Sequence, residues 1–285
     1  MARAPSSRIS PTAHYTGYVW CRHGLSPAPL ATVQGRAMFH ALQGPMRLAS
    51  LATGGVTLET MLLQRHAIID HLLGRAIEQG GVSAVLELAA GLSGRGLRFA
   101  TRYAGLDLVY VEGDLPAMAA RKRRRLAALG SLPARHHVVA MDALAEAGPQ
   151  CLAEAVRALV DPARGLAIVT EGLLSYLGRD ELLGLWRRIA RLLGRHPCGV
   201  YLSDLHLDDQ AARLPAVRAF RRMLGVVTGG TIHLHFRDTA EVTAAWREAG
   251  GGGTQLHRPR ALADELGLPL GRGADFVGVL EARVH

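Results

Sequence analysis

The chain has 285 residues, 49% hydrophobic and 20% charged, which is enough apolar material for a sizeable core in one or two domains. No apolar run reaches transmembrane length, Met1 to Pro11 lacks the apolar block of a secretory signal, and Cys21, Cys151 and Cys198 fit neither disulfide nor metal spacing. A cytoplasmic protein with no membrane partner and no metal centre is expected; the +9 balance, nearly all arginine in a chain also rich in Ala, Gly and Leu, reads as compositional bias rather than a nucleic-acid footprint.

In chain order, residues 1–14, rich in Pro, Ser, Arg and Thr, read as a flexible arm. Residues 15–80 read as a helical N-terminal cap, broken at Pro27 to Pro29, Gly44-Pro45 and Gly54-Gly55. Residues 81–285 then alternate strand and helix. Strands are expected near 83–89, 107–112, 137–141, 165–171 and 199–205, with helices near 116–129, 150–160 and 180–193. A glycine-rich turn and a short helix follow the first strand. Asp180-Glu181 opens a helix with the apolar face Leu182, Leu185, Trp186, Ile189, Leu192 and Leu193, closed by Gly194 and Pro197. The alternation pauses at about 206–236 for a lid insertion containing an amphipathic stretch, Leu214 to Val227. A helix from Arg237 to Ala249, a turn at Gly250 to Gly253 and a last strand from Phe276 to Val284 complete the chain. This order predicts an α/β fold built on a doubly wound parallel sheet.

Two stretches carry chemistry. Val85-Leu86-Glu87-Leu88-Ala89-Ala90-Gly91-Leu92-Ser93-Gly94 and Val109-Tyr110-Val111-Glu112-Gly113-Asp114-Leu115-Pro116 each run from a buried strand into a turn. Gly91 and Glu112 lie 21 residues apart (112 − 91), close to the ~20-residue gap between a nucleotide-binding glycine turn and its ribose-binding acid. Gly91 and Gly94 let a ligand approach the backbone, and Glu112 and Asp114 can accept from ribose hydroxyls. A nucleoside site follows. Arg65 falls on the apolar stripe Leu58, Leu62, Ile69 and Leu72, so it needs an anionic partner, either a ligand or an internal acid such as Asp70 or Glu87. Lys122 falls on the stripe Leu115, Ala119, Leu126 and Leu129, so it alone of the basic run Arg121 to Arg125 points inward. The other four form a solvated face without interleaved aromatics.

Taken with Arg65, Arg95, Arg98, Asp142 and the string Thr170-Glu171-Gly172-Leu173-Leu174-Ser175-Tyr176, these stretches resemble the leucine carboxyl methyltransferase family over roughly residues 60–205. The resemblance implies a class I methyltransferase, Rossmann-like, with a seven-stranded, mostly parallel sheet and an antiparallel last strand. It implies S-adenosyl-L-methionine as cofactor. Arg65, with Arg98, would grip the methionine carboxylate; Ala89 and Gly91 would line the methionine arm; Glu112 and Asp114 would hold the ribose, with Glu87 a further cofactor-binding residue. Asp142 and the Ala143 backbone would face the adenine, and Glu171 the cofactor amino group. The chain departs from the family at Ala89, Ser93 and Gly94, where a glycine, an aspartate and a threonine are usual.

The implied reaction is O-methylation of a carboxylate or hydroxyl on a small-molecule acceptor, such as a polyketide or peptide-like natural product. Tyr176 and His206 are the candidate catalytic residues, each with a plain alternative as a packing tyrosine or a surface histidine. His233 and His235 share one face of an extended segment and read as polar surface, as does His136-His137. Tyr15 to His23 is aromatic-rich and reads as a cap over the cleft or an anchor for the N-terminal helices. Apolar helices near the N-terminus suggest a homodimer. Two other readings are a nicotinamide-dependent oxidoreductase, whose G-x-G-x-x-G spacing Gly91, Gly94 and Gly96 do not match, and a methyltransferase fold using the cofactor for non-methylating chemistry.

Overall fold

In the computed structural model, which describes residues 11–52, 55, 57–208, 233–271, 275 and 277–284, the apolar runs after residue 81 pair into one seven-stranded sheet. The strands are β1 (Val82–Leu88), β2 (Val109–Asp114), β3 (His136–Ala140), β4 (Gly165–Thr170), β5 (Gly199–Leu205), β6 (Thr254–His257) and β7 (Gly278–Val284). Their order is β3-β2-β1-β4-β5-β7-β6. The first five are parallel, and β7 runs antiparallel to both β5 and β6. Strands β1, β4 and β5 are nearly wholly buried, as continuous apolar runs covered on both faces must be. The four-residue β6, polar and at the sheet edge, has too weak an alternation to be read as a strand from sequence.

The helices are α1 (Pro11–Arg22), α2 (Val33–Ala52), α3 (Leu58–Glu78), α4 (Arg95–Arg102), α5 (Pro116–Ala127), α6 (Leu152–Leu159), α7 (Arg179–Leu193), α8 (Thr239–Glu248) and α9 (Ala263–Leu266). Among the described residues no helix is long and apolar enough to cross a membrane. Local chemistry starts several of them: Thr57 accepts from the Thr60 amide before α3, and Asp238 from the Glu241 amide before α8. Helix α1 begins at Pro11, inside the segment expected as an arm, and α2 runs unbroken through Gly44-Pro45, where a break was expected.

Two apolar clusters cover the two faces of the sheet. One unites Ile68, Ile69, Leu72 and Leu73 of α3 with Phe99 of α4. The other unites Trp186 of α7, Trp246 of α8 and Phe236 with Tyr201 of β5; the Trp186 and Phe236 rings stack at 5.3 Å. A third cluster holds α1 to α2 and α3 through Tyr15, Val19, Trp20, Phe39 and Leu62. Most of the expected lid, including Leu214 to Val227, lies outside the described residues. Its flanks are tied down: the Asp208 amide donates to Phe236 O at 2.8 Å, and the His233 amide to Ser175 O at 2.8 Å.

Candidate cofactor site

In an open parallel sheet, ligands bind beyond the carboxyl ends of the strands, where the strand order reverses. Here the reversal falls between β1 and β4. Glu171 follows β4, Asp204 ends β5, Asp114 ends β2 and the glycine turn follows β1, so connectivity alone brings them to one rim. The turn begins with Ala89 in the left-handed region at φ +53° and passes through Gly91 to Arg95, the first residue of α4. Gly94 lets the loop before α2 dock on the turn, since a Cβ there would sit 2.6 Å from Ser26 Cα.

Below the rim lies a buried ion network. Arg65 on α3 donates from Nε to Glu171 at 3.0 Å and from Nη1 to Asp204 at 2.9 Å. Arg95, with no exposed surface, donates to Asp70 at 2.5 Å, Glu87 at 2.7 Å and Glu171 at 2.5 Å. Arg98 donates to Asp70 at 2.7 Å and to Leu25 O at 2.9 Å. His66 sits at the centre: Nδ1 is 2.9 Å from Glu171 Oε2 and Nε2 is 2.8 Å from Arg98 Nη2. Arg95 Nη2 approaches the same Nδ1 at 2.8 Å. The Trp20 ring covers the His66 ring at 4.2 Å, pinning α1 to the network.

These contacts set the titration of the acids. Burial alone would raise the Glu171 carboxyl, but His66, Arg95 and Arg65 hold it well below the ordinary carboxylate range. Asp70 is lowered against burial by His66, Arg95 and Arg98. Glu87 goes the other way: burial outweighs Arg95, and Glu112 adds like charge from its register position on the adjacent strand. Tyr110 donates to Glu87 at 2.7 Å.

Glu112 is 1% exposed. Its Oε1 accepts from the Gly96 amide at 3.1 Å, and its Oε2 lies 2.8 Å from Lys122 Nζ and 3.3 Å from His136 Nε2. A Cβ at position 96 would overlap this carboxylate. Lys122 points inward as expected. The His136 side chain, expected at the surface, is 1% exposed, because the β2–β3 register sets it beside Tyr110 and within reach of Glu112. Arg125 also leaves the solvated face, half-buried and donating to Pro29 O and Ala31 O, while Arg123 stays exposed and donates to Val138 O.

Asp114 differs from Glu112. Its Oδ2 accepts from the Gly91 amide and its Oδ1 from the Leu115 amide, both at 2.7 Å, and burial raises it despite those donors. Asp142 stands half-buried past β3 and caps its own loop through the Leu144 amide at 2.9 Å; the Ala143 carbonyl accepts from Arg188 at 3.3 Å. Tyr176 donates to Thr12 of α1 at 3.3 Å, tying the cap helix to the loop after β4. His206 Nε2 lies 3.9 Å from Asp204 Oδ2. His235 Nε2 is 3.2 Å from Leu174 O, and the His233 and His235 rings stack at 5.8 Å.

Arg65, Arg98, Glu87 and Glu171 therefore meet in one network, with Ala89, Gly91 and Asp114 at its rim, while Glu112 joins the Lys122–His136 group and Asp142 the adjoining loop. Sequence reasoning placed neither His66 nor Asp204 in the cofactor site, offered Asp70 only as a partner for Arg65, and gave Arg95 no separate role. The i, i+4 spacing of His66 and Asp70 beside Arg65 on α3 was the available signal.

The leucine carboxyl methyltransferase family profile matches residues 28–190. A candidate S-adenosyl-L-methionine-dependent methyltransferase of Mycobacterium tuberculosis is 38% identical over 251 residues, covering 82% of this chain and 69% of its own. A DUF574 family protein from Streptomyces avermitilis superposes with a TM-score of 0.66 at 15% identity, over 99% of this chain and 100% of its own. A candidate methyltransferase from Thermobifida fusca superposes at 0.58 and 16% identity, over 96% and 97% of the two chains. The two superpositions speak to the fold. The profile match and the 38% identical relative settle the family: the chain belongs to the leucine carboxyl methyltransferases, S-adenosylmethionine-dependent methyltransferases whose class I fold the two superpositions share.

Proposed function

We propose that the chain transfers a methyl group to an oxygen, carboxylate or hydroxyl, of a small-molecule acceptor of the polyketide or peptide-like kind. The observation that carries this reading is the cluster at the β1/β4 reversal, where acids from four strand ends and guanidiniums from α3 and α4 converge beside α1. The residues present suit the cofactor. Around the crevice five carboxylates (Asp70, Glu87, Asp114, Glu171, Asp204) face three guanidiniums (Arg65, Arg95, Arg98), a balance that favours a ligand with two positive centres and one carboxylate.

Arg65 has five N–H donors and spends two on Glu171 and Asp204, which leaves the Nη2 side for the methionine carboxylate. Asp114 spends one lone pair of each oxygen on a backbone N–H, leaving acceptors for the two ribose hydroxyls. Glu112, enclosed by Gly96, Lys122 and His136, holds the start of α4 against β2. Glu171 and Asp204 supply negative potential at the β4 and β5 ends, where the amino and sulfonium groups belong. Asp142 and the Ala143 backbone border the adenine side. The cofactor, when bound, supplies an activated methyl group on sulfur. Helix α1, held by Trp20 on His66 and Thr12 on Tyr176, excludes water from the crevice and leaves Tyr176 and His206 toward the acceptor. A carboxylate acceptor needs only alignment; a hydroxyl acceptor calls on His206 to take its proton.

Calorimetric titration with S-adenosylmethionine and S-adenosylhomocysteine, followed by a panel of carboxylate and hydroxyl acceptors read by mass, tests this reading. A base-labile product marks an ester and a base-stable one an ether. Transfer only to nitrogen or carbon acceptors would overturn it.

A further inference from the structure

Arg188 and Arg191 lie on one side of α7, because positions i and i+3 share a helix face, and Arg195 follows in the turn past the helix end, where its amide donates to Leu192 O at 3.1 Å. They line a cavity of about 110 Å³ closed on its other side by Cys151, Leu152 and Ala153, the amino end of α6. Helix α6 has no side-chain cap at Cys151, so its first amide groups lack the usual side-chain acceptor. Arg188 is fixed in place: Nη2 donates to Ala143 O at 3.3 Å, and Nη1 is 3.7 Å from Glu146. Its Nε, fully buried, has no hydrogen-bond partner among the described residues. Among the described residues Arg191 and Arg195 form no ion pair, and the one carboxylate lining the cavity, Glu146, is 87% exposed. Three guanidiniums, those of Arg191 and Arg195 exposed, thus meet one solvated carboxylate at the cavity, with Asp142 a further acid acting on Arg188, so positive charge is in excess there.

We propose that this cavity is a binding site for a phosphoryl oxyanion, separate from the cofactor crevice. Planar guanidiniums meet phosphate oxygens two at a time, and a helix amino end adds backbone donors and a favourable dipole. The volume lies well below the ~300 Å³ at which pockets begin to enclose a drug-sized ligand. It therefore takes the phosphoryl group alone and leaves any attached organic portion outside. The shared chemistry admits two sources, free phosphate and a phosphorylated metabolite.

The test is calorimetric titration at constant ionic strength with inorganic phosphate, glycerol phosphate and acetate, on the intact chain and on Arg191→Gln/Arg195→Gln. Saturable phosphate binding, about tenfold weaker in the double variant, is expected, with acetate weaker than either phosphate. The relative affinity of the two phosphates identifies the source. S-adenosylhomocysteine affinity, unchanged in the variant, shows that its fold and cofactor crevice are intact; Arg195→Gln alone gives an intermediate loss. Equal phosphate affinity in the double variant, no saturable binding to the intact chain, or acetate binding as tightly as phosphate would overturn the site.

Discussion

Arg65 Nε stands 3.0 Å from Glu171 Oε1, joining the middle of α3 to the end of β4 across 106 residues of sequence. The same guanidinium holds Asp204 at 2.9 Å, so one side chain fixes the acids at the ends of two adjacent strands. Removing one member of such a buried set leaves its partners desolvated and uncompensated, at a cost of about 3–5 kcal/mol. Arg65→Ala should lower the urea midpoint accordingly and abolish S-adenosylmethionine binding. Arg65→Lys should recover part of the stability but little of the cofactor affinity, because a point charge cannot serve Glu171, Asp204 and a ligand carboxylate together. Equal cofactor affinity in Arg65→Lys and the parent would show that Arg65 serves the fold alone.

At the glycine turn, Ala89 adopts φ +53°, a region that costs a residue with a Cβ about 1–2 kcal/mol. Ala89→Gly removes that strain but gains conformational freedom in the unfolded chain. The net expectation is a stabilisation of about 0.5–1 kcal/mol in denaturant unfolding. A loss of stability would mean that the alanine methyl packs usefully.

Lys122 and Glu112 form a buried pair at 2.8 Å. Lys122→Met should cost about 3–5 kcal/mol, and adding Glu112→Gln should return a good part of it, because the second change removes the stranded charge. The exposed Arg124 on the same helix serves as control: Arg124→Ala should stay within about 0.5 kcal/mol. Additive losses in the double variant would refute the coupling.

Burial raises the Asp114 carboxyl above its ordinary value. Ribose hydroxyls need the ionised form, so cofactor affinity should fall with decreasing pH before the range near 3.9 where an exposed aspartate titrates. The folding linkage has the opposite sign. A carboxyl raised in the folded state contributes stability below its unfolded value and loses it as pH rises through the folded one. Calorimetry and denaturant unfolding across the same acid range should therefore show Asp114 opposing itself: protonation weakens cofactor binding while favouring the fold. Asp114→Asn should flatten both dependences, and a binding profile unchanged by it would remove Asp114 from the ribose site.

The elements of the sheet were legible in the chain because buried parallel strands are written as uninterrupted apolar runs, and all but the short polar β6 stood out that way. Helical periodicity likewise placed Arg65 and Lys122 on apolar stripes and so predicted that each needs an acidic partner. Periodicity says which face a side chain occupies, not what stands opposite. The partners of Arg65 proved to be Glu171 and Asp204 rather than the nearer Asp70 and Glu87, and that of Lys122 was Glu112. His136, read as surface, is buried by strand register, and His66 gained its place only when Trp20, Arg95 and Arg98 closed around it from other elements. The family and the outline of the crevice thus follow from local pattern. The division of labour between Asp114, at the rim, and Glu112, enclosed beneath α4, belongs to the tertiary structure, because burial and pairing are set by contacts between segments far apart in the chain.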